Sequence, residues 1–353
     1  MLKIAIIGTT SWGVTLAFTL AQKGMQIGLW ARTEHEANEL KNYWENQTQI
    51  PSITLPSQLL ITSGISEVID GARAVILAVP SQTMRQNIKL IEHHLNKSIF
   101  IVSAAKGLEI GSGKRMSEVI AEEINPRFHS NICVLTGPNL SREVLRNLPA
   151  ATVVAAEDKS VAGKVQKLLV TPKLCVFTNS DVIGVELGGA FKNIVALGAG
   201  IADGMGYGDN AKAAFMTRGL TEITALGVAL GANPLTFSGL AGLGDLIATC
   251  ASPLSRNHYV GVELAKGLSL TEITDSMTEV AEGVSTVLVV RKLAMEHGLE
   301  MPITEKIYQV LYEDADVERA AQDLMGGNAR HELAGRRWRL SSLFRRRKKI
   351  PTG

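Results

Sequence analysis

Through its first half this chain alternates short apolar, β-branched runs with longer stretches of helical character, and that alternation restricts the fold most. The runs "KIAIIG", "MQIGLW", "LLITS", "RAVILAV", "SIFIVSA", "NICVLTG", "AATVVAA" and "LCVFT" read as strands. They are apolar at consecutive positions, as strands covered on both faces are, and the pieces between them are long enough for crossover helices. A parallel sheet with helices on both sides is therefore expected. After about residue 181 the character changes. "ELGGAFKNIVALGAGIADG" and "KAAFMTRGLTEITALGVALG" are long, rich in Ala and Gly and poor in strand formers, so they read as closely packed helices. The expected organisation is an α/β domain over residues 1–180, an all-helical domain over 181–330 and a tail over 331–353.

A chain of 353 residues with 46% hydrophobic content can bury one large core or two ordinary ones. The net charge of +2 hides an asymmetry. Residues 331–353 hold eight Arg and Lys against one Glu, so the body is acidic and only the tail is basic. Nucleic-acid binding by the body is excluded on charge. The tail also carries Trp338, Leu340, Leu343 and Phe344 among its arginines. It reads either as a solvated, disordered segment or as a peripheral contact with anionic lipid. Cys133, Cys175 and Cys250 fit no paired spacing, and the seven histidines form no H-x₃-H pair, so reduced thiols and no metal site are expected. The first strand begins almost at Met1, and no uninterrupted apolar run approaches the roughly 18 residues of a bilayer span. A cytoplasmic protein is the expectation.

The first strand leads into "GTTSWG", a variant of the G-x-G-x-x-G turn that carries a dinucleotide's pyrophosphate in a Rossmann-like fold. Gly8 makes the turn and Gly13 allows helix and strand to approach, while Thr10 stands where the middle glycine belongs. The following helix N-terminus is free to hold a phosphate. At the end of the second strand, "LWARTEHE" places Arg32 where an acid would bind a ribose 2′-hydroxyl, with no acid before Glu34. An arginine there suits a 2′-phosphate, which favours NADP(H) and leaves NAD(H) possible; it also reads as a solvated loop residue.

Ligands of doubly wound sheets bind beyond the carboxyl ends of the strands. Those ends carry Pro80 and Ser81 in "AVPSQ", Lys106 in "VSAAKGLE", and Gly137, Pro138 and Asn139 in "LTGPNLSREV". Lys106 reads as a cleft residue or a surface lysine. Lys192 has Gly188, Gly189, Val195 and Ala196 as its helical neighbours, so no carboxylate shares its face. Such a lysine either reaches out to water or is desolvated for proton transfer. Further on, Gly242, Gly244, Asp245, Ser255, Arg256 and Asn257 fall close together. Ser-Arg-Asn suits a phosphate, or else Ser255 simply caps a helix.

With these residues assembled, the chain resembles the bacterial-type NAD(P)-dependent glycerol-3-phosphate dehydrogenases from residue 1 to about 330. The resemblance rests on "GTTSWG", "AAKGLE", "TGPN", "ELGGAFKNIVALGAGIADG", "GLAGLGDLIATC", "SRNHYVG" and "VAEGVST" in that order. It implies a Rossmann-like N-terminal domain, a helical C-terminal domain and a site in the cleft between them. It also implies a homodimer and reversible reduction of dihydroxyacetone phosphate to sn-glycerol 3-phosphate for phospholipid synthesis. The family's pattern assigns Gly8, Ser11, Trp12, Gly13, Arg32, Lys106, Ser141, Arg256, Val280 and Glu282 to the cofactor. It gives Lys106, Gly137, Asn139, Asp245, Ser255, Arg256 and Asn257 to the substrate, Lys192 the acid/base role, and Lys106 and Asp245 supporting roles in catalysis. Thr10, Asn139 and Ser141 depart from that pattern, replacing a glycine, a serine and an alanine. A reductase of another oxo compound would share the fold but have no use for the Ser-Arg-Asn cluster, and a non-enzymatic redox sensor on the same fold would have no use for an intact set of Lys106, Lys192 and Asp245.

Overall fold

A computed structural model describes residues 2–46, 55–96 and 98–325. The basic segment 331–353 lies outside the described residues. The eight expected strands form one sheet: β1 (Lys3–Ile7), β2 (Gln26–Trp30), β3 (Leu59–Thr62), β4 (Ala74–Leu77), β5 (Phe100–Ser103), β6 (Ile132–Thr136), β7 (Ala150–Ala155) and β8 (Leu174–Asn179). Their order is β3-β2-β1-β4-β5-β6-β7-β8. The chain direction of strand addition reverses between β1 and β4, which opens a crevice at their carboxyl ends.

Period-two alternation places successive residues of each strand on opposite faces. Ile4 and Ile6 enter the core on one side of the sheet, Ala5 and Ile7 the core on the other. Both faces of the inner strands are covered, which is why those sequences are apolar at consecutive positions; the edge strands β3 and β8 leave Leu60 and Phe177 exposed. The expectation of a parallel sheet needs one correction: β6 and β7 run antiparallel, and β8 is parallel to β7. The link from β6 to β7 contains only the five-residue helix Ser141–Leu145. At about 1.5 Å per residue such a helix is far shorter than a strand at about 3.3 Å per residue, so it cannot carry the chain back to begin a parallel neighbour. The link from β7 to β8 holds the longer helix Lys159–Leu169 and does return.

Beyond β8 the described chain is helical. Its axis is the 23-residue helix Val182–Gly204, started by Asp181, whose side chain accepts from Gly184 N at 2.9 Å. Every residue of this helix from Gly184 to Ala202 is buried, so it is covered all round rather than along one stripe, with Glu186, Lys192 and Asn193 as polar exceptions. The helices Gly208–Ala229, Asp245–Ala251, Arg256–Ala265 and Glu282–Glu296 pack around it. Arg256–Ala265 lies especially close: a Cβ at Gly200 would fall 2.1 Å from His258 O, and one at Gly261 would fall 2.0 Å from Leu197 O. The helical part is tied to the sheet by buried Glu186, which accepts from Ser117 N (2.8 Å) and Arg115 Nη1 (2.7 Å). Val182–Gly204 and the segment Pro234–Ala251 do have the length and composition of a bilayer span, unlike the expectation for this chain; 89% of the first is buried inside the protein, as a core helix is.

Candidate active site

The glycine turn after β1 sits against the end of β4. Gly8 has φ of +106°, and a Cβ there would lie 2.7 Å from Ala78 O. Only glycine combines that conformation with that approach. A Cβ on Gly13 would meet Gly8 O at 2.3 Å, so the helix Ser11–Gln22 starts in close contact with the turn. Thr10 is the N-cap of this helix, with φ of −58°. Its Oγ1 accepts from Gly13 N at 3.2 Å and donates to Ala78 O at 2.7 Å. The absent glycine is thus replaced by a cap that also pins the turn to β4. Trp12 packs on the sheet core. Ser11 donates from both N (2.9 Å) and Oγ (2.7 Å) to Glu279 Oε1. A carboxylate therefore already sits at this helix N-terminus, the place where a phosphate would be held.

Past β2, the Arg32 side chain is 79% exposed. Beside it lies a residue the sequence reading passed over. The Glu36 carboxylate accepts from Thr9 Oγ1 and from Arg32 N (3.0 Å), with Arg32 Nε 3.5 Å away. Glu36 lies past the strand end, in the first turn of the helix Glu34–Asn46, where strand-end spacing gives no sign of it.

The lysines meet on one acid. Lys106 Nζ, beyond β5, donates to Asp245 Oδ2 (2.6 Å) and to Gly137 O (2.9 Å). Lys192 Nζ donates to Asp245 Oδ1 (2.7 Å) and to Thr249 Oγ1. Lys192 indeed has no acid on its own helix face; its partner comes from the helix Asp245–Ala251. Gly189, one turn before Lys192, lies against Thr136 at the end of β6, where a Cβ would be 2.5 Å from the hydroxyl. That contact brings the long helix to the strand ends. Lys192 and Asp245 are buried, at 5% and 1% exposure, while a fifth of the Lys106 side chain reaches solvent. Burial and the neighbouring Lys192 ammonium pull Lys106 down to about 8, against the opposing pull of Asp245. Burial acts to raise the Asp245 carboxyl, but Lys106 and Lys192 more than offset it and hold it below the usual carboxylate value. Thr249, missed in the sequence, was one helical turn from Asp245 in "GDLIATC" and so on the same face.

The remaining candidates divide. Asn139 Nδ2 donates to Thr152 Oγ1 (3.0 Å), and its Oδ1 is buried without a partner. Ser141 opens the short helix after it. Ser255 caps the helix Arg256–Ala265, accepting from His258 N at 3.3 Å. The Asn257 amide joins two segments, donating to Asn193 Oδ1 and accepting from Gly283 N, both at 2.9 Å. Arg256 is half exposed; it donates to Val280 O (2.8 Å) and pairs with Glu279 (3.3 Å). Glu282, whose carboxyl burial pushes up, accepts from Ser81 N at 2.8 Å and Ser81 Oγ at 2.5 Å. Glu279, also missed, lies three residues before Glu282 and joins the glycine turn to Arg256 across the cleft.

Models of the N- and C-terminal regions of NAD-dependent glycerol-3-phosphate dehydrogenase match residues 3–162 and 181–322. A glycerol-3-phosphate dehydrogenase [NAD(P)+] of Dehalococcoides mccartyi is 58% identical over 349 residues, 99% of this chain and 97% of that one, so the match runs into the basic tail. One from Moorella thermoacetica is 46% identical over 95% of this chain and 99% of its own. The crystal structure of the Coxiella burnetii glycerol-3-phosphate dehydrogenase, 34% identical, superposes with a TM-score of 0.85 over 92% of this chain and 99% of that one. By two matching halves and a relative identical at more than half its positions, the chain belongs to the NAD-dependent glycerol-3-phosphate dehydrogenase family.

Proposed function

We infer that the Lys106–Asp245–Lys192 cluster is where this NAD(P)-dependent oxidoreductase interconverts dihydroxyacetone phosphate and sn-glycerol 3-phosphate. The observation that carries the assignment is the sharing of Asp245 by two ammonium groups at the strand ends, at 2.6 and 2.7 Å. A dinucleotide fits the cleft: the tight turn at Gly8 leaves the backbone close, and the Glu279 carboxylate at Ser11 stands in for a pyrophosphate oxygen. Gly8, Ser11, Trp12, Gly13 and Arg32 would hold it from the sheet side, with Ser141, Val280 and Glu282 closing from the other. Glu279 must leave Ser11 for a phosphate to enter, because two anions cannot share one donor pair.

When bound, the nicotinamide supplies a hydride to C2 of the ketone. Charge then grows on the C2 oxygen, and Lys192 neutralises it by giving a proton from Nζ, refilled from water after release. Proton donation of this kind contributes about 10²–10⁴-fold. Asp245 holds both lysine Nζ atoms in place, and two basic groups on one carboxylate aim positive charge at the developing oxyanion in a nearly dry site. Lys106, partly open to solvent, orients the substrate together with Gly137 and Asn139. Arg256 and the helix start at Ser255 receive the phosphate, with Asn257 setting their position through Asn193, and remote binding thereby aligns the carbonyl.

The exposed Arg32 favours NADP(H) over NAD(H). The product is the backbone of glycerophospholipids, and we assign the enzyme to that supply. Three unpaired thiols support a reducing, cytoplasmic setting, with Cys133 and Cys250 pushed up to about 12 by burial. Leu235, 76% exposed, with Leu243 and Ile247 also open on the Pro234–Ala251 segment, supports a homodimer. The test of the reaction is an initial-rate comparison of dihydroxyacetone phosphate with a 2-oxo acid lacking phosphate. The phosphate substrate should be preferred by about 10²-fold or more in kcat/KM. Equal rates would favour a general oxo-acid reductase.

A further inference from the structure

The carboxyl ends of β1 and β2 bring together Thr9, Arg32 and Glu36, at the place where the adenosine ribose of a dinucleotide lies on a sheet of this order. Of the two acids that follow Arg32 closely, Glu34 is turned to the end of β3, accepting from Ser63 Oγ at 2.8 Å. Glu36 alone lies between β1 and β2. Its carboxylate is held from both sides, by the Thr9 hydroxyl and by Arg32 N at 3.0 Å. These bonds leave acceptor positions free on an acceptor-only group, and 27% of the side chain is exposed. Arg32 is its opposite: donors only, 79% exposed, with Nε 3.5 Å from the same carboxylate.

The two ribose chemistries see these groups differently. A 2′-hydroxyl is a donor, and Glu36 can accept from it. A 2′-phosphate is acceptor-only and negatively charged, so it attracts Arg32 and is repelled by Glu36. We propose that Glu36 is a specificity-determining residue that favours the 2′-hydroxyl cofactor, NAD(H), and works against Arg32, so that this pair sets the preference between the two cofactors. The proposal rests on the reading of this cleft as the cofactor site and adds the residue that makes NAD(H) usable. Thr9 acts through Glu36 as a positioning residue, holding the carboxylate over the turn.

The test uses the full-length enzyme with dihydroxyacetone phosphate and measures kcat and KM for NADH and NADPH, with Tm as a check on folding. Glu36→Gln retains size and an acceptor for Arg32 N but removes the charge. It should raise the NADPH-to-NADH ratio of kcat/KM by about tenfold, through KM, with kcat nearly unchanged. Glu36→Asp, which keeps the charge, should hold the ratio near that of the parent. Arg32→Ala should move it the other way, raising KM for NADPH far more than for NADH. A ratio that Glu36→Gln leaves unmoved, or moves toward NADH, overturns the proposal, as does an equal loss with both cofactors accompanied by a lower Tm. If Arg32→Ala also leaves both KM values unchanged, the placement of the adenosine end fails with it; if Arg32→Ala alone shifts the ratio, only the role of Glu36 does.

Discussion

Asp245 is the residue on which the site turns, because each of its carboxylate oxygens holds a different lysine. Lys106, Lys192 and Asp245 were each legible as chemistry in the sequence, by their strand-end or small-residue settings and by the family's motifs. Their meeting was not, since Lys106 and Asp245 lie 139 positions apart and nothing local joins them. Glu36 and Glu279 went unread for the same reason: a glutamate in a helix's first turns or in a loop has no local signature until its partner is known. The position of Lys106 near 8 makes a pH prediction. It is charged below that value and loses its proton as pH rises through it. With NADPH saturating, kcat/KM for dihydroxyacetone phosphate should fall above about pH 8, and Lys106→Arg should move that limb upward, since arginine stays protonated. A limb that Lys106→Arg does not displace belongs to another group.

Among elements, all eight strands were readable, because buried parallel strands are short apolar runs between turn residues. The reversal at β7 was not, because it depends on how far a helix of five residues reaches. Two helix caps bear direct tests. Thr10→Val keeps the volume of the N-cap but removes the hydroxyl that serves Gly13 N and Ala78 O. Unfolding free energy should drop by about 1–2 kcal/mol in urea titration; an unchanged midpoint would mean the turn needs no pin. At the helix Pro302–Tyr312, buried Glu222 accepts from Ile303 N (2.8 Å) and Thr304 N (3.2 Å). Burial raises its carboxyl to about 7, against the pull of those bonds. Its folded pKa lies above the unfolded value, so its contribution is full below about pH 4 and is lost as pH rises through about 7. Stability should therefore decline between about pH 5 and 7 by up to about 1.4 kcal/mol per unit from this group, and Glu222→Gln should flatten that decline. Parallel pH profiles for the two proteins would contradict it.

At the scale of the molecule, a sheet that presents its strand ends meets a helical body whose axis carries Lys192. Glu186 and the close contact of Gly189 with Thr136 keep the two in register. The division into a sheet half and a helical half could be read from the change in composition near residue 181, but the cleft exists only once these contacts are made. The proposed homodimer is tested at this scale too: with Leu235 76% exposed, sedimentation should give a dimer, and Leu235→Lys should weaken it. The account as a whole stands on Lys192 as the proton donor. The most direct measurement is the single-turnover rate of NADPH oxidation by dihydroxyacetone phosphate in Lys192→Met, together with the Kd for NADPH. Methionine retains length and apolar packing while removing the charge and the transferable proton. We predict a rate lower by about 10²-fold or more with Kd nearly unchanged; a rate close to that of the parent enzyme would contradict the account and pass the role to Lys106.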